Sequence, residues 1–129
     1  MTLFNSIFGN SNDEVQSSKL NWISLTNVQQ LDEIKSDSEN KLVVIFKHST
    51  RCSISRMALK QFENEFDLDY KVTLYFLDLL NFRTISNAIS EEFQVIHQSP
   101  QMILIKEGKA IYNASHSDID AADLKQYCF

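Results

Sequence analysis

Apolar residues follow two different spacings along the chain from about residue 20 onward. Unbroken or alternating apolar runs predict strands, whereas apolar residues three or four positions apart predict amphipathic helices. The resulting order is β-α-β-α-β-α-β-β-α. The predicted strands cover residues 22–25, 42–46, 72–78, 102–105 and 110–112, and the predicted helices lie near residues 28–34, 53–66, 85–93 and 118–127.

The connections between these elements predict the layout of the sheet. Strands joined through helices are expected to be parallel with right-handed crossovers, and the short link at Gly108 predicts an antiparallel hairpin near the end of the chain. The expected fold is therefore α/β, with a central mixed sheet covered by helices on both faces. Residues 20–129 are expected to form this domain. Residues 1–19 are expected to form an arm and linker, which either docks on the domain or makes a weak contact with a membrane or partner.

Composition narrows the class of protein further. The chain has 129 residues, 43% of them hydrophobic, which is enough for one packed core, and its formal net charge is -5. A net negative charge without a stripe of lysine and arginine argues against nucleic acid as a partner. The sequence has neither an apolar run of about 18 residues nor a signal-peptide pattern. We therefore expect a monomeric cytoplasmic protein, with no membrane among its main partners.

The two cysteines, Cys52 and Cys128, stand in different contexts. Cys52 lies where the apolar run 42–46 gives way to the helical pattern that begins near Ser53. The first turn of a helix carries unpaired backbone N–H groups and partial positive charge, which stabilise a thiolate and lower its pKa from about 8.5 toward roughly 3.5–7.5. The position predicts a reactive cysteine, and the alternative is a buried, inert one. Neither cysteine has a partner at metal-ligand spacing, so no metal site is expected.

The one proline of the chain, Pro100, comes just before the predicted strand 102–105. The element order, a cysteine at the start of the helix after a central strand, and a proline opening a later strand together resemble the thioredoxin fold. A more specific resemblance, over about residues 20–127, is to the YtxJ family of monothiol bacilliredoxins. The matching segments are Phe46-Lys47-His48-Ser49-Thr50, Cys52 with Ile54-Ser55, Ser99-Pro100-Gln101, Gly108 and Ser115-His116. Ser53 stands where that family usually has proline.

The resemblance implies a three-layer α/β/α domain and a catalytic role for Cys52. Ser55 occupies the position at which a dithiol motif has its second cysteine. It cannot form a disulfide, although it can donate a hydrogen bond to the Cys52 thiolate. His48 would either lie near the sulfur and hold the thiolate or satisfy a hydrogen bond at the strand end. Arg51 would either favour a thiol that carries carboxylates or be a solvated charge.

The resemblance also implies a surface that binds the substrate or thiol, formed by Thr50, Ser99, Pro100 and Gln101. Pro100 is expected in the cis form beside the sulfur, with the Ser99 backbone paired to the substrate. His116 would support the terminal hairpin or contact the ligand, and His97 is interpreted as a surface or turn residue.

The activity implied by the resemblance is removal of bacillithiol from protein mixed disulfides. Cys52 would take up bacillithiol and a second bacillithiol would regenerate it. The expected partners are thiolated proteins and a small thiol, with bacillithiol as co-substrate and no bound cofactor. Cys128 is the only other candidate for a resolving thiol, if movement of the chain end brings it near Cys52; the expected role is that of a bystander, because terminal residues are usually loosely ordered. Two other functions stay open: a non-catalytic binding module on the same scaffold, and a glutathione-using protein similar to monothiol glutaredoxins.

Overall fold

A five-stranded sheet forms the centre of the molecule in the computed structural model, which describes residues 20–68 and 71–128. The strands are β1 (Trp22–Ser24), β2 (Leu42–His48), β3 (Val72–Asp78), β4 (Gln101–Lys106) and β5 (Lys109–Ser115). The α-helices are α1 (Gln30–Asp37), α2 (Ser53–Glu65) and α3 (Arg83–Phe93). Two short 3-10 helices follow β5, η1 (His116–Asp118) and η2 (Ala121–Gln126). The arm expected at 1–19 lies outside the described residues.

The order of strands across the sheet is β1-β3-β2-β4-β5. β1 and β2 are parallel to β3, whereas β4 is antiparallel to β2 and β5 is antiparallel to β4. The predicted mixed sheet with its terminal hairpin is confirmed. The prediction that helix-joined strands are parallel is wrong for β4. The connection through α3 and residues 94–100 returns the chain to the end of the sheet that it left, so β4 begins beside the last residues of β2, with Gln101 opposite Lys47.

Successive residues of β2 enter two separate cores, one on each face of the sheet. Val44 and Phe46 pack in the core that α2 and η2 cover. Val43 and Ile45 pack in the core that α1 and α3 cover. All seven residues of β2 are buried, which explains why its sequence is an apolar run rather than an alternating one. The expected three-layer α/β/α arrangement is confirmed.

Two predicted helices differ from those in the structure, one in type and one in where it begins. The closing helix expected over 118–127 is replaced by the two 3-10 helices, because Asp120 is extended and its carboxylate caps η2 by accepting the N–H of Ala122 at 2.9 Å. The first helix begins later than expected. The Asn27 side chain accepts the N–H of Gln29 at 2.8 Å and forms a turn before α1, so Val28 is exposed.

Candidate active site

Cys52 is the N-cap residue of α2 and follows the C-terminal end of the central strand β2. Its backbone is extended (φ -108°, ψ 121°), while its carbonyl oxygen already accepts the N–H of Arg56 at 3.1 Å. Its own N–H donates to the carbonyl oxygen of Ser49 at 3.2 Å. The side chain is a free, half-buried thiol. The structure therefore carries this thiol at the positive end of a 13-residue helix, within reach of solvent.

Ser55 holds the loop that carries Cys52 in place through hydrogen bonds of its side chain. Its side chain is completely buried, and its hydroxyl oxygen accepts the N–H of Ser49 at 3.0 Å and lies 2.8 Å from His48 Nδ1. The His48 ring packs against Phe76, with 5.4 Å between ring centroids. Of the two roles expected for His48, these contacts favour a hydrogen bond at the strand end. A bond from Ser55 to a Cys52 thiolate stays a prediction, since the hydroxyl already has two partners.

The loop before the helix is exposed and carries positive charge. Arg51 and Thr50 are exposed, and the guanidinium of Arg56 donates to the carbonyl oxygen of Thr50 at 3.0 Å. Two apolar side chains of α2 are also exposed, Ile54 by 51% and Met57 by 71%. The surface around the thiol therefore combines cations with apolar groups, which suits partners that are both acidic and apolar.

The Ser99–Pro100 peptide bond is cis, as expected. Because Gln101 is paired with Lys47, the proline lies at the edge of the sheet where β2 leads toward the cysteine loop. The carbonyl oxygen of Pro100 accepts the N–H of His116 at 3.1 Å, which brings the start of η1 to the same edge. The Ser99 hydroxyl is buried and has no hydrogen-bond partner among the described residues.

A cleft of about 540 Å³ opens beside this edge. The loop after α3 forms one side of it, with Ile96 82% exposed, and the end of β5 and η1 form the other, with Asn113 and His116 among the lining residues. His116 thus supports the hairpin edge through its backbone and is one of the residues that line the cleft, so both roles expected for it remain compatible with the structure.

Gln101 and Lys47 lie deeper than the sequence suggests. Both side chains are completely buried. The Gln101 amide donates to the carbonyl oxygen of Ile96 at 3.0 Å, so this side chain binds the protein's own backbone rather than a ligand. Lys47 Nζ lies 3.2 Å from His97 Nδ1, and burial lowers the pKa of Lys47 to about 8. Sequence reasoning assigned Lys47 no role, although a lysine that continues an apolar strand was a signal that could have found it.

Cys128 lies far from Cys52. The charges of Lys71 and Lys106 act on it, and these residues lie beside the start of β3 and at the end of β4, at the opposite end of the sheet. A seven-residue strand spans roughly 20 Å. Burial raises the pKa of the Cys128 thiol. Both findings agree with the expected bystander role.

Neither a metal-binding group nor a membrane-spanning helix is present in the described part of the chain. Within residues 20–68 and 71–128, no three or more His, Cys, Asp or Glu side chains are arranged to hold a metal ion. No helix in the same ranges is long and apolar enough to cross a bilayer.

A cysteine at a helix N-terminus and a cis-proline at the same end of a mixed sheet with helices on both faces define a thiol-disulfide oxidoreductase with a thioredoxin fold. Solved thioredoxins show the same fold. The thioredoxin of Malassezia sympodialis has a TM-score of 0.65 at 20% identity, over 85% of this chain and 90% of that one. The thioredoxin of Fasciola hepatica has a TM-score of 0.63 at 16% identity, over 81% and 93%.

The family can be stated more closely. The family model described as monothiol bacilliredoxin BrxC matches residues 23–124, and the chain belongs to that family. A solved structure described as a candidate oxidoreductase with a thioredoxin fold is 31% identical, with a TM-score of 0.71 over 86% of this chain and 94% of that chain. The resemblance drawn from the sequence motifs is thereby confirmed.

Proposed function

We propose that this protein removes bacillithiol from protein mixed disulfides, with Cys52 as the attacking group. The observation that carries the proposal is the half-buried Cys52 thiol at the N-terminus of α2 with Ser55, which has no sulfur, at the buried fourth position. Membership of the monothiol bacilliredoxin family supports the choice of thiol.

The reaction has two exchanges that balance without a cofactor. In the first, the Cys52 thiolate attacks the bacillithiol sulfur, forms a Cys52–bacillithiol disulfide and releases the target protein as a thiolate. In the second, a free bacillithiol thiolate attacks that disulfide, which gives bacillithiol disulfide and regenerates the Cys52 thiolate. Each step breaks one S–S bond and forms one, and a thiolate is the leaving group in each.

The neighbouring residues have separate roles in this proposal. Exposed Arg51 attracts the carboxylates of the thiol. Thr50 and Ser99 contribute to the surface that binds the disulfide, and Pro100 orients it. Gln101 acts from beneath that surface, since its side chain is fully buried. The protein acts as a monomer in a reducing cytoplasm, which keeps both thiols free.

A bacillithiolated test protein provides the direct assay. The wild type should release bacillithiol with multiple turnovers when free bacillithiol is supplied, and Cys52→Ser should release no more than the reaction without enzyme. Cys128→Ser is the matched control and should react like the wild type, because Cys128 lies at the other end of the sheet. Mass spectrometry should find bacillithiol attached to Cys52 when the second thiol is withheld.

Two outcomes would replace the proposal. Equal release by the wild type and Cys52→Ser would identify a binding module without turnover. Regeneration by glutathione at a higher rate than by bacillithiol would assign the protein to glutathione chemistry instead.

A further inference from the structure

Three fully buried polar side chains lie on the sheet face that α1 and α3 cover. Lys47 of β2 and Gln101 of β4 are directly opposite each other, and Ser86 comes from α3 above them. This face is otherwise an apolar core. Polar groups in such a place are retained only when hydrogen bonds offset the cost of removing them from water. The partners of these groups therefore indicate what they hold.

All three side chains bind one short segment, residues 96–98. The Gln101 amide donates to the Ile96 carbonyl oxygen at 3.0 Å, and its side-chain oxygen accepts the N–H of Gln98 at 3.3 Å. Lys47 Nζ and the hydroxyl of Ser86 lie 3.2 Å and 3.3 Å from His97 Nδ1. Residues 96–98 lie at the surface, although the His97 ring is partly covered by its contacts with Lys47 and Ser86. The segment is thus attached to the core from below, and the next two residues are Ser99 and Pro100.

The contact between Lys47 and His97 sets the protonation of the imidazole. A lysine ammonium donates hydrogen bonds and cannot accept them. While Lys47 is charged, below about pH 8, its contact therefore favours an unprotonated Nδ1 on His97 as the acceptor, with the ring proton on Nε2. A proton on Nδ1 would face the ammonium directly. Burial and the charges of Lys47 on β2 and Arg83 on α3 all lower the pKa of His97.

We propose that Lys47 and His97 form a proton-controlled latch that holds residues 96–98 and so positions the Ser99–Pro100 backbone for the incoming disulfide. The latch is closed while His97 is neutral. It opens as the pH falls through the depressed pKa of His97, below the ordinary value of about 6.5. Lys47 and His97 act as positioning residues, and this role rests on the thiol-disulfide exchange described above, whichever small thiol serves it.

The first test compares two reactions of Cys52 across pH 5–8. One is exchange with a mixed disulfide of a test protein and thionitrobenzoate, which needs the substrate-binding backbone but no bacillithiol. The other is alkylation by iodoacetamide, which needs only the sulfur. In the wild type, the ratio of the exchange rate to the alkylation rate should be several-fold lower at pH values below the pKa of His97 than at pH 8.

Two substitutions at His97 separate the latch from the titration of any other group. His97→Asn keeps an acceptor in place of Nδ1 and does not titrate, so its ratio should stay high throughout. His97→Leu removes the acceptor, so its ratio should be low at every pH. The proposal is overturned if His97→Asn loses the ratio in acid as the wild type does, or if His97→Leu matches the wild type at pH 8.

Nuclear magnetic resonance supplies a readout that does not depend on activity. The Gln98 amide should shift with the same midpoint as the His97 ring nitrogens. Lys47→Met should raise that midpoint, because it removes one of the cations that oppose protonation. An unchanged midpoint, or a Gln98 amide that does not follow His97, overturns the latch. Failure to release bacillithiol with these NMR results intact would refute only the proposed function.

Discussion

Replacing Lys47 by methionine should change the pH dependence of stability in a calculable way. Lys47 is completely buried in the core on the α1 and α3 face, and burial lowers its pKa from 10.5 to about 8. Methionine has a similar length and no charge, so it fits the same space without a proton to lose. Above pH 7, where His97 is neutral, the substitution therefore isolates the contribution of the Lys47 titration.

The sign and size follow from linkage. The folded chain releases the Lys47 proton near pH 8, whereas the unfolded chain keeps it until about pH 10.5. Between these values the unfolded state binds more protons, so the free energy of unfolding of the wild type rises with pH. At about 1.36 kcal/mol per pKa unit, the rise from pH 7 to pH 10 is roughly 2.5 kcal/mol. The methionine variant lacks this rise.

Urea unfolding at pH 7, 8, 9 and 10 measures the effect. The stability of Lys47→Met relative to the wild type should decrease by roughly 2.5 kcal/mol over this range. Groups that both proteins share cancel in the difference. Lys60→Met is the control, because the Lys60 side chain is exposed, and its curve should run parallel to the wild type. Parallel curves for Lys47→Met as well would refute the reasoning, since they would mean that the Lys47 ammonium is hydrated in the folded state.

Three further changes test other parts of the structure. Ser55→Cys should give a dithiol that closes a disulfide with Cys52 on oxidation, because Cα atoms three residues apart at a helix start lie within disulfide range; two free thiols persisting at these positions would contradict it. Ser38→Ala removes the hydroxyl that accepts the N–H of Gly108 at 2.8 Å, so unfolding should require about 1–2 kcal/mol less while Cys52 alkylation is unchanged. Phe62→Ala empties a site that is 1% exposed and should cost about 3–5 kcal/mol in denaturant unfolding; a loss below about 1 kcal/mol would show that the core collapses around it.

The apolar pattern predicted the bounds of a strand best where the buried residues of that strand are apolar. β3 has the predicted bounds, whereas β2 extends two residues further, through Lys47 and His48. Both residues are polar and buried because side chains outside the strand satisfy them, and the apolar pattern of the strand carries no record of those partners. The direction of β4 was missed for a related reason, since it depends on where a loop returns the chain.

Some residues of the candidate site could be predicted from the local sequence, and others could not. Cys52 and Pro100 were found from their local positions, one at the start of a helix and one before a strand. The group formed by Lys47, His97 and Gln101 was not found, because β2, β4 and the loop after α3 each contribute one member. Hydrogen bonds between separate elements become visible only when the sheet order is known.

Adjacent residues of β2 support the two halves of the site from opposite faces of the sheet. His48 faces α2 and contacts Ser55 beneath the cysteine loop, while Lys47 faces α3 and contacts His97 beside the proline. Their substitutions should therefore have separable effects. His48→Phe keeps a ring against Phe76 but loses Nδ1, so it should alter the rate of Cys52 alkylation by iodoacetamide several-fold and leave the ratio of exchange to alkylation nearly constant. Lys47→Met should change the ratio of exchange to alkylation and leave the rate of Cys52 alkylation nearly constant. If both variants change the same quantity, the two faces do not act independently, and the division of roles between them is wrong.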